Sequence, residues 1–337
     1  MIGGKIYQDI LDFKKLKKNS KYYNNFFYNG RYAFHSILNE IKKKKIKKIY
    51  VPNYICSSLI EAIPKNFKIF FYDIDNKLDI IDFSCKDCVI LVIDFFGKKA
   101  KLNNSILKNN FIIYDKTFSY NPKCLKLDKN FFFSSPRKLF PSAVCSITNI
   151  KNKKALVSNL ELLDIYKKCV AGSFLRESYN KNYYYNKSIK IENFFLKEMS
   201  RLETFFYTNF SNYKVESFFK NYFFKINFDK KYSILKKNKK KINNGLRKVK
   251  NIKILDNKNI LFSLFFSDKK EHLIKLLKKN SIFISNYWSR PKILQHKILS
   301  HNLYEDLILL PNNSYLTGNE INRMHKIINS FYEKNKI

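Results

Sequence analysis

Short apolar runs alternate with amphipathic stretches through about the first 150 residues of the chain. The run at 89–95, VILVIDF, is interrupted only by Asp94, and its length suits a strand buried on both faces better than a helix. Strands of this kind, separated by helical segments, indicate an α/β fold with a mostly parallel sheet covered on both sides by helices. The predicted strands are residues 48–52, 67–74, 89–95, 111–114, 131–134 and 143–147, and the predicted helices are residues 31–45, 56–63 and 102–107.

The pattern changes beyond residue 150. Two long amphipathic helices are predicted at 155–171 and 189–210, and the tail then mixes short strands with helices. This mixture is typical of a separate α+β unit, so we place a domain boundary near residue 225, with a large domain at 1–225 and a small domain at 226–337. The predicted tail strands are 222–228, 260–266 and 282–287, and the predicted tail helices are 233–249, 269–279 and 319–333.

The composition indicates a folded protein with a large core. The 337-residue chain is 45% hydrophobic and 17% aromatic, which excludes global disorder. Its formal net charge of +38 is a feature of nucleic-acid binders, in which lysine and arginine neutralise phosphates. The basic runs at 42–45 and 237–241 are short and lie beside apolar helical stretches, however, and lysine shares A/T-rich codons with the abundant Asn, Ile, Phe and Tyr. We therefore interpret the charge as solvated helix faces and expect no specific nucleic-acid partner, with a nucleic-acid binder as the weaker alternative.

The cysteines and the apolar segments argue against a metal site and against a membrane protein. Cys85 and Cys88 form one C-x-x-C pair, but no second pair or histidine follows at zinc-ligand spacing, so we expect core cysteines and no metal. The longest apolar stretch, 88–97, contains Asp94 and is too short to span a bilayer, and residues 1–15 lack a continuous apolar segment. We expect a cytoplasmic protein without membrane insertion.

Residues with complementary chemistry follow the predicted strands and open the first helix. Ligands of open α/β sheets bind beyond the carboxyl ends of the strands, where Asp115 and the segment ending in Lys138 fall. A lysine there can form a Schiff base with an aldehyde cofactor, and an aspartate can pair with a protonated pyridine nitrogen. Gly30 at a helix start offers N–H groups to a phosphate, and the Ser135 hydroxyl adds a contact. Each part alone has an ordinary reading as a cap or a turn, but together they predict a site for pyridoxal 5'-phosphate (PLP).

At these motifs the chain resembles the DegT/StrS family of PLP-dependent sugar-nucleotide aminotransferases, which have the fold type I (aspartate-aminotransferase-like) architecture. The likeness extends in order from residue 2 to residue 330 or so and is closest to a little-characterised branch. Its most specific element is SPRKL at 135–139, which is similar to the family's SPRKF segment. The other matching segments are IGG at 2–4, NGRYA at 29–33, PNYIC at 52–56, FFG at 95–97, IIYD at 112–115, YW at 287–288 and LLP at 309–311.

The resemblance implies a role for each matching site residue. Lys138 would be the Schiff-base lysine and would later shuttle a proton between the substrate Cα and the cofactor C4′. Asp115 would keep the pyridine nitrogen protonated, so that the ring can withdraw electrons. Ser135 and the backbone N–H groups of Arg31 and Tyr32 would bind the 5′-phosphate.

Some positions depart from the family pattern. The turn whose side chain usually covers the ring face carries Tyr54 and Cys56, and the cysteine stands where the usual aromatic falls. Phe118 replaces a Gln or His that normally touches the cofactor ring, and residues 140–145 lack glycine where the family has a flexible GVPDGG-like segment. A relative that has histidine in place of this lysine performs sugar 3-dehydration instead. Lys138 argues against that reaction here. The departures leave two readings: drifted specificity or weakened catalysis, or a fold type I scaffold that binds PLP or a partner without transaminase activity.

The resemblance also implies partners and a reaction. The protein would be a homodimer with the site at the subunit interface. An amino donor, expected to be glutamate, would load the cofactor, which would then aminate a nucleotide-linked keto-sugar used for bacterial surface polysaccharide. Arg290 is a candidate ligand for the donor carboxylate or a nucleotide phosphate.

Overall fold

The computed structural model describes most of the chain. The described residues are 2–3, 26–118, 130–135, 138, 146–150, 159–181, 189–208, 213, 215–217, 219–220, 228–250, 252–255, 261–284, 288–296, 302–312 and 316–334. The glycine-free segment 140–145, the expected domain boundary near residue 225 and Tyr287 lie outside them. The division at residue 225 therefore stays a prediction.

Strands and helices alternate through the described part of the chain. The strands are β1 (Ile2–Gly3), β2 (Phe26–Phe27), β3 (Lys48–Pro52), β4 (Lys68–Tyr72), β5 (Val89–Ile93), β6 (Phe111–Asp115), β7 (Phe131–Phe133), β8 (Ser146–Ile147), β9 (Lys253–Leu255), β10 (Phe262–Phe266), β11 (Ile282–Phe283) and β12 (Leu307–Pro311). The helices are α1 (Gly30–Lys42), α2 (Ser57–Ile60), α3 (Asn104–Asn109), α4 (Leu160–Lys181), α5 (Ile189–Thr208), α6 (Phe228–Leu246), α7 (Lys270–Lys279), α8 (Leu303–Asp306) and α9 (Gly318–Lys334).

Most of these elements were predicted from the hydrophobic pattern. Each predicted helix overlaps an observed helix, and each predicted strand but one overlaps an observed strand. The prediction of a strand at 222–228 is wrong at Phe228, which begins α6, and its other residues lie outside the described ranges. The elements that the pattern did not predict are β12, which has five residues, and four elements of at most four residues, namely β1, β2, β9 and α8. Short runs carry too few turns or alternations for a period to show.

A parallel sheet of β3 to β7 forms the centre of the described structure. Its strand order is β4-β3-β5-β6-β7, and β5 is buried along its whole length. The register sets Ile93 of β5 beside Asp115 of β6, and sets Asp115 beside Phe133 of β7. Because these strands run in the same direction, their carboxyl ends meet at one edge of the sheet. Asp115 is therefore in the last paired row of that edge.

Helix α1 begins beside this edge. Its apolar face packs against the sheet, and the Phe34 ring lies 5.5 Å from the Phe133 ring. The ring of Tyr32, in its first turn, meets the ring of Phe206 on α5 edge-on at 5.5 Å. The long helices α4 and α5 pack against each other, and through Phe206 they support the start of α1.

A second, antiparallel sheet in the order β12-β10-β9 lies between two hydrophobic cores. Leu264 of β10 belongs to the larger core, whereas its neighbour Phe265 belongs to a smaller one made by residues of α6, α7 and α9. Leu309 and Leu310 of β12 divide in the same way, as the two-residue period of a strand requires. In the described ranges, no helix has the length and apolar character that crossing a bilayer requires.

Candidate functional site

Polar residues from three neighbouring strands collect at the carboxyl edge of the parallel sheet. Asp94 follows β5, Asp115 ends β6, and Ser134 and Ser135 follow β7. All four side chains are buried. The Asp94 N–H donates to the Asp115 carbonyl at 3.0 Å, and the Ser134 N–H donates to the carbonyl of Ile147 in β8 at 3.0 Å. The edge therefore carries several buried side-chain oxygen atoms.

Asp115 is a buried carboxylate of this edge, as Asp94 is. Burial raises its pKa above the ordinary value, and the nearby Asp94 adds to that effect. Hydrogen bonds from Thr117 and the charge of Lys138 act in the opposite direction, and the Thr117 N–H donates to Asp115 Oδ1 at 2.8 Å. Burial has the larger effect, so the site holds an acceptor whose negative charge is costly unless a cation approaches it.

Lys138 lies beside Phe118 at the same edge. Its Nζ is 5.3 Å from the centroid of the Phe118 ring, within cation–π range, and its backbone N–H donates to the Ser135 carbonyl at 3.0 Å. The Phe118 ring also packs against Phe96 at 5.3 Å and against Phe262 of β10 at 6.3 Å. Phe118 thus forms an apolar wall next to the lysine amine.

The start of α1 lies against the segment that leads to Lys138. A Cβ placed on Gly30 would lie 3.8 Å from Ser135 Cβ and 3.5 Å from the Phe133 ring, so the first turn and the loop after β7 adjoin. Asn29 caps the helix, since its Oδ1 accepts the Tyr32 N–H at 2.8 Å. The Tyr32 N–H, expected to bind a phosphate, is engaged in this cap. Gly30 and Ser135 are nonetheless next to each other, as the PLP prediction requires.

The side chain of Arg31 is turned toward α5. Its Nη2 lies 3.4 Å from Glu203 Oε2, in an ion pair whose arginine is buried and whose glutamate is half-buried. This contact joins α1 to α5 beside the cap. The role expected of Arg31 concerns its backbone N–H and is independent of the pair.

Tyr304, which the sequence did not single out, fixes the turn after β3. Its hydroxyl accepts the Ile55 N–H at 2.7 Å and lies 2.8 Å from the Ile55 carbonyl and 3.1 Å from the Asn53 carbonyl. Behind it, the buried Lys270 donates to the Tyr304 carbonyl at 2.6 Å. Its own segment, LYED at 303–306, carries no motif that would mark a tyrosine acting across 249 positions.

The two candidates for covering a ring differ in exposure. The Tyr54 ring is buried against Trp288 at 4.8 Å, Tyr304 at 4.8 Å and Phe95 at 5.6 Å, and burial raises its pKa. Cys56 is half-buried, and its Sγ contacts the Ser58 hydroxyl at 2.5 Å. Tyr54 is therefore a packing residue of the turn in this structure, and Cys56 is the less enclosed of the two.

Phe96 carries backbone strain at this edge. Its φ of 48° and ψ of 36° fall in the left-handed region, which costs a bulky residue on the order of 1–2 kcal/mol. Its fully buried ring stacks on Trp288 at 5.7 Å and touches Phe118. The strained turn aims an aromatic ring at the residue that contacts Lys138.

Two other features noted in the sequence have structural partners. Arg290 lies 3.7 Å from Glu305 and donates to the Leu294 carbonyl at 3.0 Å. The thiols of Cys85 and Cys88 are 3.0 Å apart, and burial raises the pKa of both. No group of three or more metal-binding side chains occurs within the described ranges.

Comparisons with known proteins identify the fold. No protein-family model matches the sequence, and no curated protein does. A DegT DnrJ EryC1 StrS aminotransferase from Brucella abortus matches 91% of this chain and 85% of its own at 16% identity, with a TM-score of 0.55. The sugar aminotransferase CalS13 from Micromonospora echinospora matches 91% and 87% at 11% identity, with a TM-score of 0.57. The PLP form of the putative sugar aminotransferase Spr1654 from Streptococcus pneumoniae matches 93% and 87% at 13% identity, with a TM-score of 0.55.

These similarities extend over nearly the whole chain and over most of each solved structure. At such low identity they establish the fold and not the activity. The chain has the α/β architecture of the fold type I PLP-dependent transferases, with a large parallel sheet, and the predicted fold class is confirmed.

Replacing the Tyr304 hydroxyl should loosen one turn and leave the rest of the fold intact. Tyr304→Phe leaves the buried Ile55 N–H without its acceptor, which costs about 1–3 kcal/mol. Hydrogen exchange should show faster opening at Ile55 in this variant. Tyr332→Phe is the matched control, because it removes a buried hydroxyl that bonds to Ser267 in the smaller core. Equal exchange at Ile55 in both variants would contradict this role of the Tyr304 hydroxyl.

Asp115→Asn should stabilise the protein without ligand, increasingly so as the pH rises. Burial raises the folded-state pKa above the unfolded value of about 3.9, so folding favours the protonated acid. That contribution is present below the unfolded pKa and is lost as the pH rises through the folded pKa. The amide does not titrate, and its oxygen can still accept the Thr117 N–H. Thermal unfolding of the variant and of the unaltered protein, from about pH 4 to about pH 8, measures the difference in their stability. A difference that does not change with pH would contradict the burial argument.

Proposed function

We propose that this protein is a PLP-dependent aminotransferase of fold type I. The observation that carries the proposal is the meeting of Asp115, Lys138, Ser135 and the start of α1 at one edge of the parallel sheet. Ligands of open α/β sheets bind at this edge. The solved structures of similar fold, which include the sugar aminotransferase CalS13, support the same class.

The residues present fit the cofactor at both of its charged ends. Gly30, next to Ser135, lies at the positive end of a 13-residue helix, which suits a phosphate. The buried Asp115 suits a protonated pyridine nitrogen, because a cation offsets the cost of its charge. The Lys138 amine is close enough to Asp115 to lower its pKa.

Each of these residues would have a distinct task in the reaction. PLP, when bound, supplies an aldehyde with which amines condense and a ring that accepts electron density. Lys138 would hold the aldehyde and then carry a proton at its Nζ. The face of Phe118 attracts the ammonium form, so the resting amine is kept at the wall of the site. Asp115 would hold the proton on the ring nitrogen.

The substrates and the assembly belong to the same proposal. Glutamate would be the amino donor, and a nucleotide-linked keto-sugar of surface-polysaccharide synthesis would be the acceptor, in line with the sugar aminotransferases of similar fold. The protein would act as a cytoplasmic homodimer whose site lies at the subunit interface. We also predict that the protein has no specific nucleic-acid partner. Any binding to DNA or RNA should then be sensitive to salt and independent of sequence.

A cofactor-trapping experiment tests the proposal. The purified protein incubated with PLP should gain a visible absorbance band, and borohydride should fix the label covalently on Lys138. Lys138→Ala should abolish both while the fold persists. Lys116→Ala is the control, because Lys116 stands at the same edge with its Nζ 5.5 Å from the rings of Tyr114 and Phe132. A Lys138→Ala variant that retained the band and full activity would refute the assignment.

Adding glutamate separates an aminotransferase from a silent scaffold. An active enzyme should lose the visible band as the amino group passes to the cofactor, and a keto-sugar nucleotide should restore it. A labelled protein whose band glutamate leaves unchanged would instead support the scaffold without transaminase activity. Phe118 is then the residue to replace with Gln, since its ring is the wall beside the amine.

Asp115→Asn should slow amino transfer although it stabilises the protein alone. Losing two or three pKa units of pairing, at about 1.4 kcal/mol each, corresponds to a rate on the order of 10²- to 10³-fold lower. Single-turnover rates with glutamate measure the effect. A decrease of less than about fivefold would rule out the proposed pairing.

A further inference from the structure

Asn29 has one amide atom whose bonding the cap does not explain. Its Oδ1 accepts the Tyr32 N–H at 2.8 Å, and the residue is 3% exposed. Its Nδ2 has no hydrogen-bond partner within the described ranges. Buried polar atoms are almost always bonded, and leaving a donor unpaired is costly. The cap therefore presents a donor that lacks an acceptor.

The orientation of this amide is fixed by the cap. Turning it over would place the NH₂ group against the Tyr32 N–H and set two donors together. Since both amide atoms are bonded to one carbon, Nδ2 lies at the same helix end as Oδ1. That end belongs to α1, a 13-residue helix, so a positive dipole end and an unpaired donor coincide.

The groups around the cap favour an anion. The first turn of α1 contains no acidic residue. Gly30 adjoins Phe133 and Ser135 without a side chain of its own, and the nearby Glu203 is paired with the Arg31 guanidinium. A neutral acceptor would satisfy the donor, but only an anion would also use the helix dipole.

We propose that Asn29 is a binding residue for a phosphate group, which its Nδ2 contacts from the helix cap opposite Ser135. The chemistry recognised is a phosphate dianion or monoester. The proposal rests on the proposed function in one respect, namely that this phosphate is the 5′-phosphate of PLP. Asn29 would then be a cofactor-binding residue additional to those predicted from the sequence.

Comparing PLP with pyridoxal, which lacks the phosphate, tests this role. Asn29→Asp keeps an equally good cap but replaces the donor with a negative acceptor. We expect its dissociation constant for PLP, measured by equilibrium dialysis, to rise about 10- to 100-fold, because charge-assisted hydrogen bonds are strong. Its constant for pyridoxal should stay within about threefold of the unaltered protein's. Asn29→Ser, which retains a capping oxygen, should weaken PLP binding in the same selective way.

Asn159→Asp is the matched control. Asn159 caps α4 with the same geometry, since its Oδ1 accepts the Leu162 N–H at 2.8 Å. This variant should bind PLP and pyridoxal normally. Equal loss of both ligands in the Asn29 variants, or equal loss of PLP in the Asn159 variant, would overturn the proposal by reducing the effect to helix capping.

Inorganic phosphate separates this inference from the proposed function. If it raises the melting temperature of the unaltered protein but not of Asn29→Asp, the phosphate site stands even where borohydride traps no cofactor on Lys138. If PLP is trapped on Lys138 but the Asn29 variants discriminate between PLP and pyridoxal as the unaltered protein does, the function stands and this inference is wrong.

Discussion

The register of three parallel strands is the constraint on which the rest of the site depends. Ile93, Asp115 and Phe133 are paired in one row, so the residues just beyond them emerge side by side at one edge. A slip of one residue on β6 would turn the Asp115 side chain to the opposite face of the sheet. The apolar side chains of β5, which are buried along its length, hold that register. Core packing thereby sets the position of Asp115 at the edge.

The buried carboxylates and the strained backbone at this edge lower the stability of the protein without a ligand. A carboxylate enclosed beside Asp94 destabilises the protein that lacks a ligand, and Thr117 and Lys138 compensate only in part. The left-handed Phe96 adds backbone strain a few residues away. Backbone strain and carboxylates with a shifted pKa are frequent at functional sites. The rest of the fold tolerates their free-energy cost, and a bound ligand can offset it. The same two features would be hard to explain in a scaffold that binds nothing at this edge.

Local features of the sequence were enough to predict the edge, and long-range contacts were not. The run at 89–95 has the length of a buried strand, and Asp115 follows such a strand directly, so both could be inferred from neighbours in the chain. The Tyr304 hydroxyl acts on Ile55 from 249 positions away, and Arg31 meets Glu203 across 172 positions. Such pairs carry no period or spacing. The unpaired Nδ2 of Asn29 is likewise visible only once burial is known.

The aromatic residues around Lys138 show how a chain rich in Phe and Tyr can keep a polar site. Phe96, Phe118 and Phe262 pack edge to face or tilted, so ring edges and faces are both satisfied. One face of Phe118 is turned to a cation instead. A ring binds an ammonium through its quadrupole without accepting a directed hydrogen bond, so the amine keeps its N–H groups for other acceptors. Phe118 therefore leaves the Lys138 amine in place beside an apolar wall, so the departure from the family pattern at this position does not by itself remove the lysine that the proposed function requires.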